Sequence, residues 1–470
     1  MTNFLKWISS KFIIKCHPRG GGDLLIYTSP MHKSLFVFRQ DLRLEDNLGL
    51  IQAMESSEGV LPIFILDIDS REKFWKDDIR FAFLREALTH LSGQIREQWG
   101  ELRVYRGNPW EIIPEICTAE GIWHVYASRS YAPHGIHRDD QTQRVLAELN
   151  IPFTLVKDFL LVEPSEVPVR KVFTPFFRLW QQALTQTQPT PFPISPNWGT
   201  WSEHIPSEVP LSDIHTLEKH PYYKIAYLDE RLKRLNVANY SESRNFPALD
   251  GTSRLSAYLR FGLVSPRLLY TLTYSQNSQF IQELAWREFW YHIAHYFPET
   301  YHQEFLEKRR GIHWENDTYL QSKIEQAETG YPLVDAAIRQ LKETNFMHNR
   351  LRMVVASFIT KNCLIDWRWW EQFFARYLLD YDSAVNNGNW QWSASVGADP
   401  KPLRIFNPLL QSEKFDSEAK FIKKYIPELK DISPKDIHTL NLTGIYHPPI
   451  VDQKESARKA KEAYLGWISH

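Results

Sequence analysis

The stretch SLFVFRQDLRLEDN (34–47) sets the fold class, because a short apolar run ends abruptly in a charged segment. Such a run is typical of a strand buried on both faces of a parallel sheet. Four similar runs follow: VLPIFIL (60–66), LRVYRG (102–107), WHVYAS (123–128) and FTLVKD (153–158). Helical patterns lie between these runs, at 77–99 and 137–150. This alternation predicts a doubly wound parallel α/β domain.

The segment after the first strand restricts the ligand chemistry of this domain. The glycine-rich loops GxGxxG and GxxxxGKS/T bring phosphates against the backbone, and neither occurs there. The chain has FRQDLRLEDN (38–47) instead. An ordinary dinucleotide or triphosphate site is therefore not predicted in the α/β domain.

Composition bounds the class of protein. Lys plus Arg number 55 and Asp plus Glu 56, so a nucleic-acid surface would have to be a local basic patch. The three cysteines, Cys16, Cys117 and Cys363, have neither paired nor metal-ligand spacing. This fits a reducing, cytoplasmic setting and predicts no metal site. No segment approaches the ~20 apolar residues of a membrane helix, so no membrane contact is predicted.

The 470 residues divide into four parts. Residues 1–30 are predicted to be a disordered extension, or the product of an early start codon, and residues 31–160 an α/β domain. Residues 161–222, which include the proline-rich run TQTQPTPFPISPNW (185–198), have the composition of an inter-domain linker. From 223 to 470 helical patterns dominate, so this part is predicted to be an all-α domain; the patterns lie at 253–261, 280–297, 331–344, 348–365 and 367–379.

One segment, AVNNGNWQWSASVGADP (384–400), places Trp390 and Trp392 directly after Asn and Gly residues that disfavour helices. We expect an extended backbone here, which would point the two indoles to opposite sides. The chain has 17 Trp, 21 Tyr and 27 Phe. Core packing explains such a content, and so does stacking on bases or on a planar cofactor.

Polar side chains on predicted helices suggest the walls of a pocket. Two groups share a helical face: Glu283, Trp286, Arg287 and Trp290 in the first, and Asn349 and Met353 in the second. Ordinary amphipathic helices explain both groups comparably well or better. DGTSRLSAY (250–258) offers hydroxyls and an arginine at a helix start, suited to phosphate or to a simple N-cap.

Together these pieces closely resemble the photolyase/cryptochrome family, and most closely its bacterial class I cyclobutane pyrimidine dimer photolyases. The matching motifs are GTSRLS, ELAWREF, GYPLVDAAIRQL, MHNRLRM, IDWRWWEQFF, NNGNWQW and DPKPLRIFNP. The resemblance runs from about Lys33 to YHPPIVDQKESARKAKEAY (446–464) and covers nearly all of the chain except the first 30 residues.

The resemblance implies an α/β antenna domain, an all-α domain that binds FAD, and light-driven repair of cyclobutane pyrimidine dimers by electron transfer from reduced FAD. A second chromophore is implied near YASRSYAPHGIHRD (126–139). Methenyltetrahydrofolate, 8-hydroxydeazaflavin and a second flavin all stay open. The partner would be UV-damaged DNA with the dimer flipped out of the duplex, and the protein would be a monomer.

The resemblance also assigns residues by matching motif. FAD would be held by Tyr240, Thr252, Ser253, Arg254, Leu255, Ser256, Arg352, Asp380, Tyr381, Asp382 and Asn386, with Arg352 paired to Asp380 and Asn386 facing flavin N5. The lesion and DNA would meet Arg244, Glu283, Trp286, Asn349, Met353, Trp392 and Gln411. Trp390, Trp367 and Trp314 would form an electron-transfer chain from flavin to solvent, and with Glu283 and Asn349 they make up the implied catalytic set.

Chemistry supports the part assigned to Glu283. If it is held protonated or strongly hydrogen-bonded by partial burial, Glu283 can polarise thymine carbonyls and stabilise a radical anion. Basic residues in RIFNPLLQSEKF (404–415) and FIKKY (421–425) are candidates for the DNA-facing rim, or for a solvated helix face.

Two alternatives and two departures accompany this assignment. A cryptochrome-type blue-light receptor without repair is the first alternative, and Met353 beside Asn349 argues against it and against (6-4) repair. A tryptophan-rich nucleic-acid binder without catalysis would not require the flavin-facing polar set.

Asn345-Phe346 stands where class I enzymes usually carry Gly-Trp. Asn389 replaces a usual Gly and could change the loop geometry near the flavin.

Overall fold

Five parallel strands form the sheet that the alternating apolar runs predict. They are β1 (Lys33–Phe38), β2 (Gly59–Leu66), β3 (Arg103–Arg106), β4 (Ile122–Ser128) and β5 (Phe153–Val156). Their order is β3-β2-β1-β4-β5, and every neighbouring pair is parallel. This order confirms the doubly wound fold class, with a topological switch point between β1 and β4.

The computed structural model describes residues 32–67, 79–186, 196–199, 201, 208–213, 224–235, 237–400 and 403–465. The predicted extension, residues 1–30, lies outside the described residues, as does most of the proline-rich run 185–198. The domain boundaries at residues 30, 160 and 222 stay predictions. No helix in the described ranges is long and apolar enough to cross a membrane.

Four helices flank the strands: α1 (Leu48–Ser56), α2 (Ile79–Glu97), α3 (Pro109–Glu120) and α4 (Pro133–Glu148). Successive residues of β1 point to opposite faces of the sheet. Leu35 and Val37 join a core that includes Ile112 and Ile113 of α3. Phe36 and Phe38 join a larger core that continues into the helical half of the chain. One hydrophobic core therefore spans both halves, in addition to the cores within each half.

The charged part of the opening stretch, DLRLED (41–46), ties the α/β half to the helical half. Arg43 donates to the buried carboxylate of Asp158 at 2.7 Å, and Arg267 donates to the same carboxylate at 2.7 Å. Arg267 also contacts Asp46 at 3.0 Å. Burial alone would raise the pKa of Asp158, but the two guanidinium groups hold it below its ordinary value. The residues that replace a glycine-rich loop thus anchor the sheet to the helices.

One helix, α5 (Phe173–Gln186), lies within the segment predicted as a linker and packs against the long helix α10 (Ser278–Tyr296). Trp180 of α5 donates its indole N–H to the buried Glu288 carboxylate of α10 at 2.6 Å. Glu288 also accepts from the backbone N–H of Val162 at 2.9 Å. These bonds fix the position of α10, which forms one wall of the site described below.

From residue 224 onward every described regular element is helical, which confirms the all-α prediction for this half. The remaining α-helices are α6 (Tyr227–Lys233), α7 (Tyr240–Ser243), α8 (Ser256–Arg260), α9 (Pro266–Thr273), α11 (Thr318–Gln326), α12 (Pro332–Thr344), α13 (Asn349–Ser357), α14 (Trp367–Tyr377), α15 (Ser383–Ser393), α16 (Pro408–Phe415), α17 (Lys420–Tyr425), α18 (Pro434–Thr439) and α19 (Gln453–Leu465). A π-helix, Phe358–Asn362, follows α13 directly, so the helix predicted over 348–365 is not one regular α-helix.

The extended backbone predicted around NNGNWQW is wrong, because these residues belong to α15. The Asp382 carboxylate caps the helix by accepting from the backbone N–H groups of Ala384 and Val385 at 3.1 and 3.2 Å. Gly388 lies against Trp290 of α10, and a Cβ at this position would overlap the indole ring. Capping and close packing thus offset the poor helix propensity of Asn and Gly.

Candidate active site

Glu283 lies on α10 with its charge already paired. Its carboxylate forms an ion pair with Arg244 and accepts from Gln279 Nε2 at 2.9 Å. The side chains of Glu283 and Arg244 are 29% and 17% exposed. Of the two states predicted for Glu283, protonated or strongly hydrogen-bonded, the structure shows the hydrogen bonding.

Trp286, one turn along α10, presents an ordered aromatic surface. Its ring stacks on Phe173 with a centroid distance of 3.7 Å and an interplanar angle of 6°, and it lies 5.5 Å from the Trp290 ring. Arg287, which was expected on the same wall, donates to the Phe159 carbonyl at 3.0 Å and covers the Phe159 ring. Arg287 therefore contacts the α/β half.

The helix α13 places Asn349 and Met353 one turn apart at its start. Asn349 is exposed and Met353 is half-buried. Arg350 instead reaches Asn245 Oδ1 at 2.7 Å, and Arg352 turns to Asp380. An exposed amide beside a thioether is thus left available on one side of α13, as the spacing predicts.

Asp380 gathers two groups from distant parts of the chain. Arg352 Nη2 lies 2.9 Å from its carboxylate, so the ion pair implied by the resemblance is present. Ser256 Oγ donates to the same carboxylate at 2.6 Å. Asp380 therefore connects α13 with the start of α8.

The neighbouring segment contributes Tyr381, Asp382 and Asn386. Asp382 accepts from the Tyr291 hydroxyl of α10. Asn386 Nδ2 donates to Glu371 Oε1 at 2.9 Å, and the Tyr381 hydroxyl lies 3.2 Å from the same oxygen. Burial raises the pKa of Glu371 above its ordinary value, while these hydrogen bonds oppose the shift. Sequence reasoning missed Glu371, whose only signal is its place as an acid among the aromatic residues of IDWRWWEQFF.

The remaining residues assigned to FAD lie in two places. Leu255 is buried in the core, while Arg254 has a left-handed backbone and pairs with Asp250 at 3.0 Å. Thr252 and Ser253 are half-buried. Tyr240 begins α7 beside the lesion-side pair, with the Arg244 guanidinium 5.5 Å from its ring. Burial, and then the Glu283 charge, raise the pKa of Tyr240 to about 12.

The departures from the class I pattern are accommodated locally. Asn345 caps α12 in a left-handed conformation with φ 54°, which Asn tolerates better than most non-glycine residues, and it donates to the Tyr377 carbonyl at 2.8 Å. Phe346 lies 5.7 Å from both the Arg254 and the Arg352 guanidinium. Asn389 is exposed on α15 and donates back to the Val385 carbonyl, so it lies in a helix and not in the loop that was expected.

The three tryptophans of the implied electron chain belong to one hydrophobic core. Trp390 and Trp367 are 3% and 1% exposed, and Trp314 is half-buried at the margin of the same core. Trp392 packs instead against the core shared with the α/β half. Its indole N–H is buried and has no hydrogen-bond partner among the described residues.

Three arginines, Arg244, Arg350 and Arg404, lie close together in the helical half, near residues assigned to the lesion. Burial, and then the charges of Arg244 and Arg404, lower the pKa of Arg350, which lies 4.5 Å from the Phe415 ring. Gln411 stands on α16, in the predicted run 404–415, and is half-buried. The second predicted run, 421–425, lies within α17, which packs against α12. The neutral chain therefore has a local basic cluster, as a nucleic-acid surface would require.

A buried ring nitrogen of His348 shows whether the site residues suit a phosphate-bearing ligand. Its Nδ1 accepts from the backbone N–H of Arg350 at 3.2 Å, and its Nε2 has no partner in the described part of the chain. Burial, and then nearby arginines, lower the pKa of His348 to about 4, so the ring is neutral near pH 7. A buried donor among arginines, close to the Asp380 cluster, fits a dinucleotide such as FAD.

The segment 126–139, where a second chromophore is implied, follows the switch point of the sheet. Ser128 Oγ donates to the buried Asp41 at 2.5 Å, across the carboxyl ends of β4 and β1. Arg138 Nη2 donates to Ser130 Oγ at 2.7 Å, and burial lowers the pKa of Arg138 to about 10. Crevices at such switch points are the usual ligand sites of doubly wound sheets.

Comparisons with known proteins show which family this chain resembles over both of its halves. The family model described as "DNA photolyase" matches residues 34–195, and the model "FAD binding domain of DNA photolyase" matches residues 280–465. The chain is 37% identical to the deoxyribodipyrimidine photo-lyase of a Synechococcus strain, over 92% of this chain and 96% of that protein. It is 35% identical to the Escherichia coli deoxyribodipyrimidine photo-lyase, over 92% and 98% of the two chains.

A solved structure shows the same arrangement. The photolyase of Sulfolobus tokodaii, crystallised with two FAD molecules, superposes with a TM-score of 0.83 and 32% identity, covering 92% of this chain and 100% of that one. Both halves of the chain therefore match photolyases in sequence, and the whole matches them in fold. The chain belongs to the DNA photolyase family.

Proposed function

We propose that this protein is a deoxyribodipyrimidine photo-lyase that repairs cyclobutane pyrimidine dimers in DNA in the light. The observation that carries the proposal is the wall of α10, where the hydrogen-bonded Glu283 carboxylate stands beside the stacked Trp286 ring. Bound, reduced FAD supplies the light-excited electron for the reaction. The named activity of the relatives at 35% and 37% identity supports the assignment.

The lesion pocket needs aromatic surface and a few polar groups. A dimer within a duplex must leave the base stack to reach a buried cofactor, a solution for which photolyases are themselves a standard example. Trp286 and Trp392 offer aromatic surface to the splayed bases. Asn349, and Glu283 when it is protonated, would donate hydrogen bonds to the base carbonyls and stabilise negative charge that develops on the dimer. Arg244 and Gln411 would hold the DNA backbone beside the pocket.

The cofactor would be held by polar groups from four segments. Arg352, Asp380 and Ser256 form one hydrogen-bonded set, and the following segment adds Asp382 and Asn386, the latter bonded to Glu371. Tyr240, Thr252, Ser253, Arg254, Leu255 and Tyr381 complete the proposed set. Asn386 would present its amide to flavin N5, with Glu371 fixing its orientation.

Returning an oxidised cofactor to its reduced, repair-active form requires a route for electrons from solvent. Trp390, Trp367 and Trp314 supply it, because buried indoles can be oxidised and reduced in turn without leaving the core. Trp314, the half-buried member, would receive the electron from outside. Trp390 would pass it on to the cofactor.

Further points are part of the proposal. The DNA substrate binds with the dimer flipped out, and the protein acts as a monomer in the cytoplasm. A second chromophore occupies the switch-point crevice beside Ser128 and Arg138. The α/β antenna domain spans residues 31–160 and the helical domain residues 223–470, with a linker at 161–222.

The test is repair of an oligonucleotide with a single thymine dimer by the purified protein under blue light, with a dark control. We expect restored thymines only in the light, and loss of repair when FAD is removed. A protein that binds FAD and is photoreduced, but leaves the dimer intact under both conditions, would contradict the proposal and favour a cryptochrome-type receptor.

A further inference from the structure

Trp367 has an unusual electrostatic environment for a residue of an electron chain. Its indole Nε1 donates to Glu304 Oε1 at 3.3 Å. The Glu304 side chain is 5% exposed, and Trp367 is 1% exposed. The hydrogen bond therefore joins a buried carboxylate to a buried indole 63 positions away in sequence.

The same carboxylate is held by a cation that also covers the ring. Arg368 Nη2 donates to Glu304 Oε2 at 2.7 Å, and the Arg368 guanidinium lies 4.9 Å from the Trp367 ring. Asp366 binds Arg368 from the other side at 3.1 Å. Arg368 and the carboxylates of Glu304 and Asp366 thus form one ion-paired group beside the Trp367 ring, and among the described residues Glu304 accepts the indole N–H.

These charges have different effects on a neutral and on an oxidised indole. A hydrogen bond to neutral tryptophan needs only a carbonyl oxygen, so a Gln at position 304 would still accept it, although less strongly than a carboxylate. A buried carboxylate costs desolvation that a Gln would not. Its negative charge pairs with Arg368 in both states of the ring, and when the ring is oxidised it also offsets the repulsion between the Arg368 guanidinium and the radical cation.

We infer that Glu304 tunes the oxidation of Trp367, by stabilising its radical cation during electron transfer. The inference rests on the tryptophan chain of the proposed function. In this step one electron would pass from Trp367 to the oxidised Trp390, which has itself given an electron to the bound cofactor. The N–H proton stays on Trp367, hydrogen-bonded to Glu304 Oε1, until Trp314 returns an electron. Glu304 is thus a positioning residue that acts through Trp367.

A pair of variants separates this role from a structural one. Glu304→Gln keeps a carbonyl acceptor but removes the charge, and we expect flavin photoreduction without DNA to slow by about tenfold. Arg368→Gln removes the cation over the ring and leaves Glu304, so photoreduction should be as fast as in the unmodified protein, or faster. Glu307→Gln, at an exposed acid in the same segment, is the matched control.

Transient absorption after a laser flash measures the yield and lifetime of the tryptophan radicals. Equal yields in Glu304→Gln and the control would overturn the inference, and so would equal losses in Glu304→Gln and Arg368→Gln, which would mark a structural role. If Glu304→Gln fails to fold, a loss of yield in Arg368→Gln overturns the inference by itself.

A readout in the dark tests the hydrogen bond without any electron transfer. The difference in the ultraviolet resonance Raman spectrum between the unmodified protein and Trp367→Phe isolates the Trp367 indole band. We expect this band to report a hydrogen-bonded N–H, and a weaker hydrogen bond in Glu304→Gln. A difference band typical of a free N–H would overturn the inference. Failure of the proposed function looks different, because then Trp367→Phe itself would leave photoreduction intact.

Discussion

Trp390 and Trp392 lie on the same helix with one residue between them, yet they pack into different hydrophobic cores. Trp390 belongs to the core of the helical half, with Trp367 and Phe374, whose ring meets it edge-on at 4.9 Å. Trp392 packs against the core shared with the α/β half. Residues i and i+2 of an α-helix point in directions about 200° apart around the helix axis, which explains why the two indoles reach different cores. The two indoles can therefore serve different partners.

Trp390→Phe should abolish photoreduction while preserving repair by protein whose flavin has been reduced chemically beforehand. Phenylalanine keeps most of the packing but cannot be oxidised readily. The measurement is the bleaching of oxidised flavin under blue light with an external reductant, followed by a repair assay. Normal photoreduction in this variant would remove Trp390 from the chain.

Trp392→Ala should have the opposite effect. Loss of a stacking surface should weaken binding of dimer-containing DNA by about 1–3 kcal/mol, with photoreduction nearly unchanged. Binding isotherms with damaged and undamaged oligonucleotides of the same sequence give the difference. If the Trp390 and Trp392 variants share one defect, the division of roles between the two faces of α15 is wrong.

Glu283→Ala should lower the quantum yield of repair without changing the FAD content. The change removes the carboxyl group that, when protonated, would donate a hydrogen bond to the negatively charged dimer, and it leaves Arg244 without its partner. Repair per absorbed photon is measured with the flavin fully reduced, and Glu242→Ala, at an exposed acid nearby on α7, is the control. An unaltered yield would exclude the proposed role of Glu283.

Asp380→Asn should reduce FAD retention. Arg352 and Ser256 both bind this carboxylate, and the neutral amide leaves the partly buried guanidinium without a counter-charge. The ratio of flavin to protein absorbance after gel filtration measures retention, with Asp431→Asn at an exposed position as the control. Retention equal to that of the control would show that the Asp380 cluster does not hold the cofactor.

Lys361 should make stability depend on pH in the alkaline range. This lysine is 1% exposed in the π-helix, and burial, with Arg404 and Arg309 nearby, lowers its pKa to about 7. In the unfolded chain it keeps its proton to about pH 10.4. Between these values the unfolded state binds more protons, so raising the pH stabilises the folded state.

The expected size is tested with Lys361→Met. From pH 7 to 10 the free energy of unfolding of the unmodified protein should gain up to about 4 kcal/mol relative to this variant. Urea unfolding at several pH values measures both proteins. A difference that does not change with pH would show that Lys361 stays charged in the folded protein.

Local sequence patterns predict much of the secondary structure and the family of this protein. The five strands were predictable because each is a short apolar run between polar residues, and their alternation with helices fixes a parallel sheet. The motifs from GTSRLS to DPKPLRIFNP identified the family because the motifs and their order are read directly from the sequence, without any knowledge of packing. The helical half was predictable for the same local reason, since its apolar residues recur with helical spacing.

Tertiary structure decided the rest, because side chains far apart in sequence meet only when the whole chain has packed. NNGNWQW is helical because Trp290 fills the space beside Gly388 and Asp382 caps the helix, neither of which the propensities of Asn and Gly reveal. Glu283 meets Arg244 across 39 positions, and Arg267 meets Asp46 across 221. Glu304 reaches Trp367 in the same way. A sequence window reports the preferences of neighbouring residues, whereas the partners of a buried charge depend on how distant elements pack together.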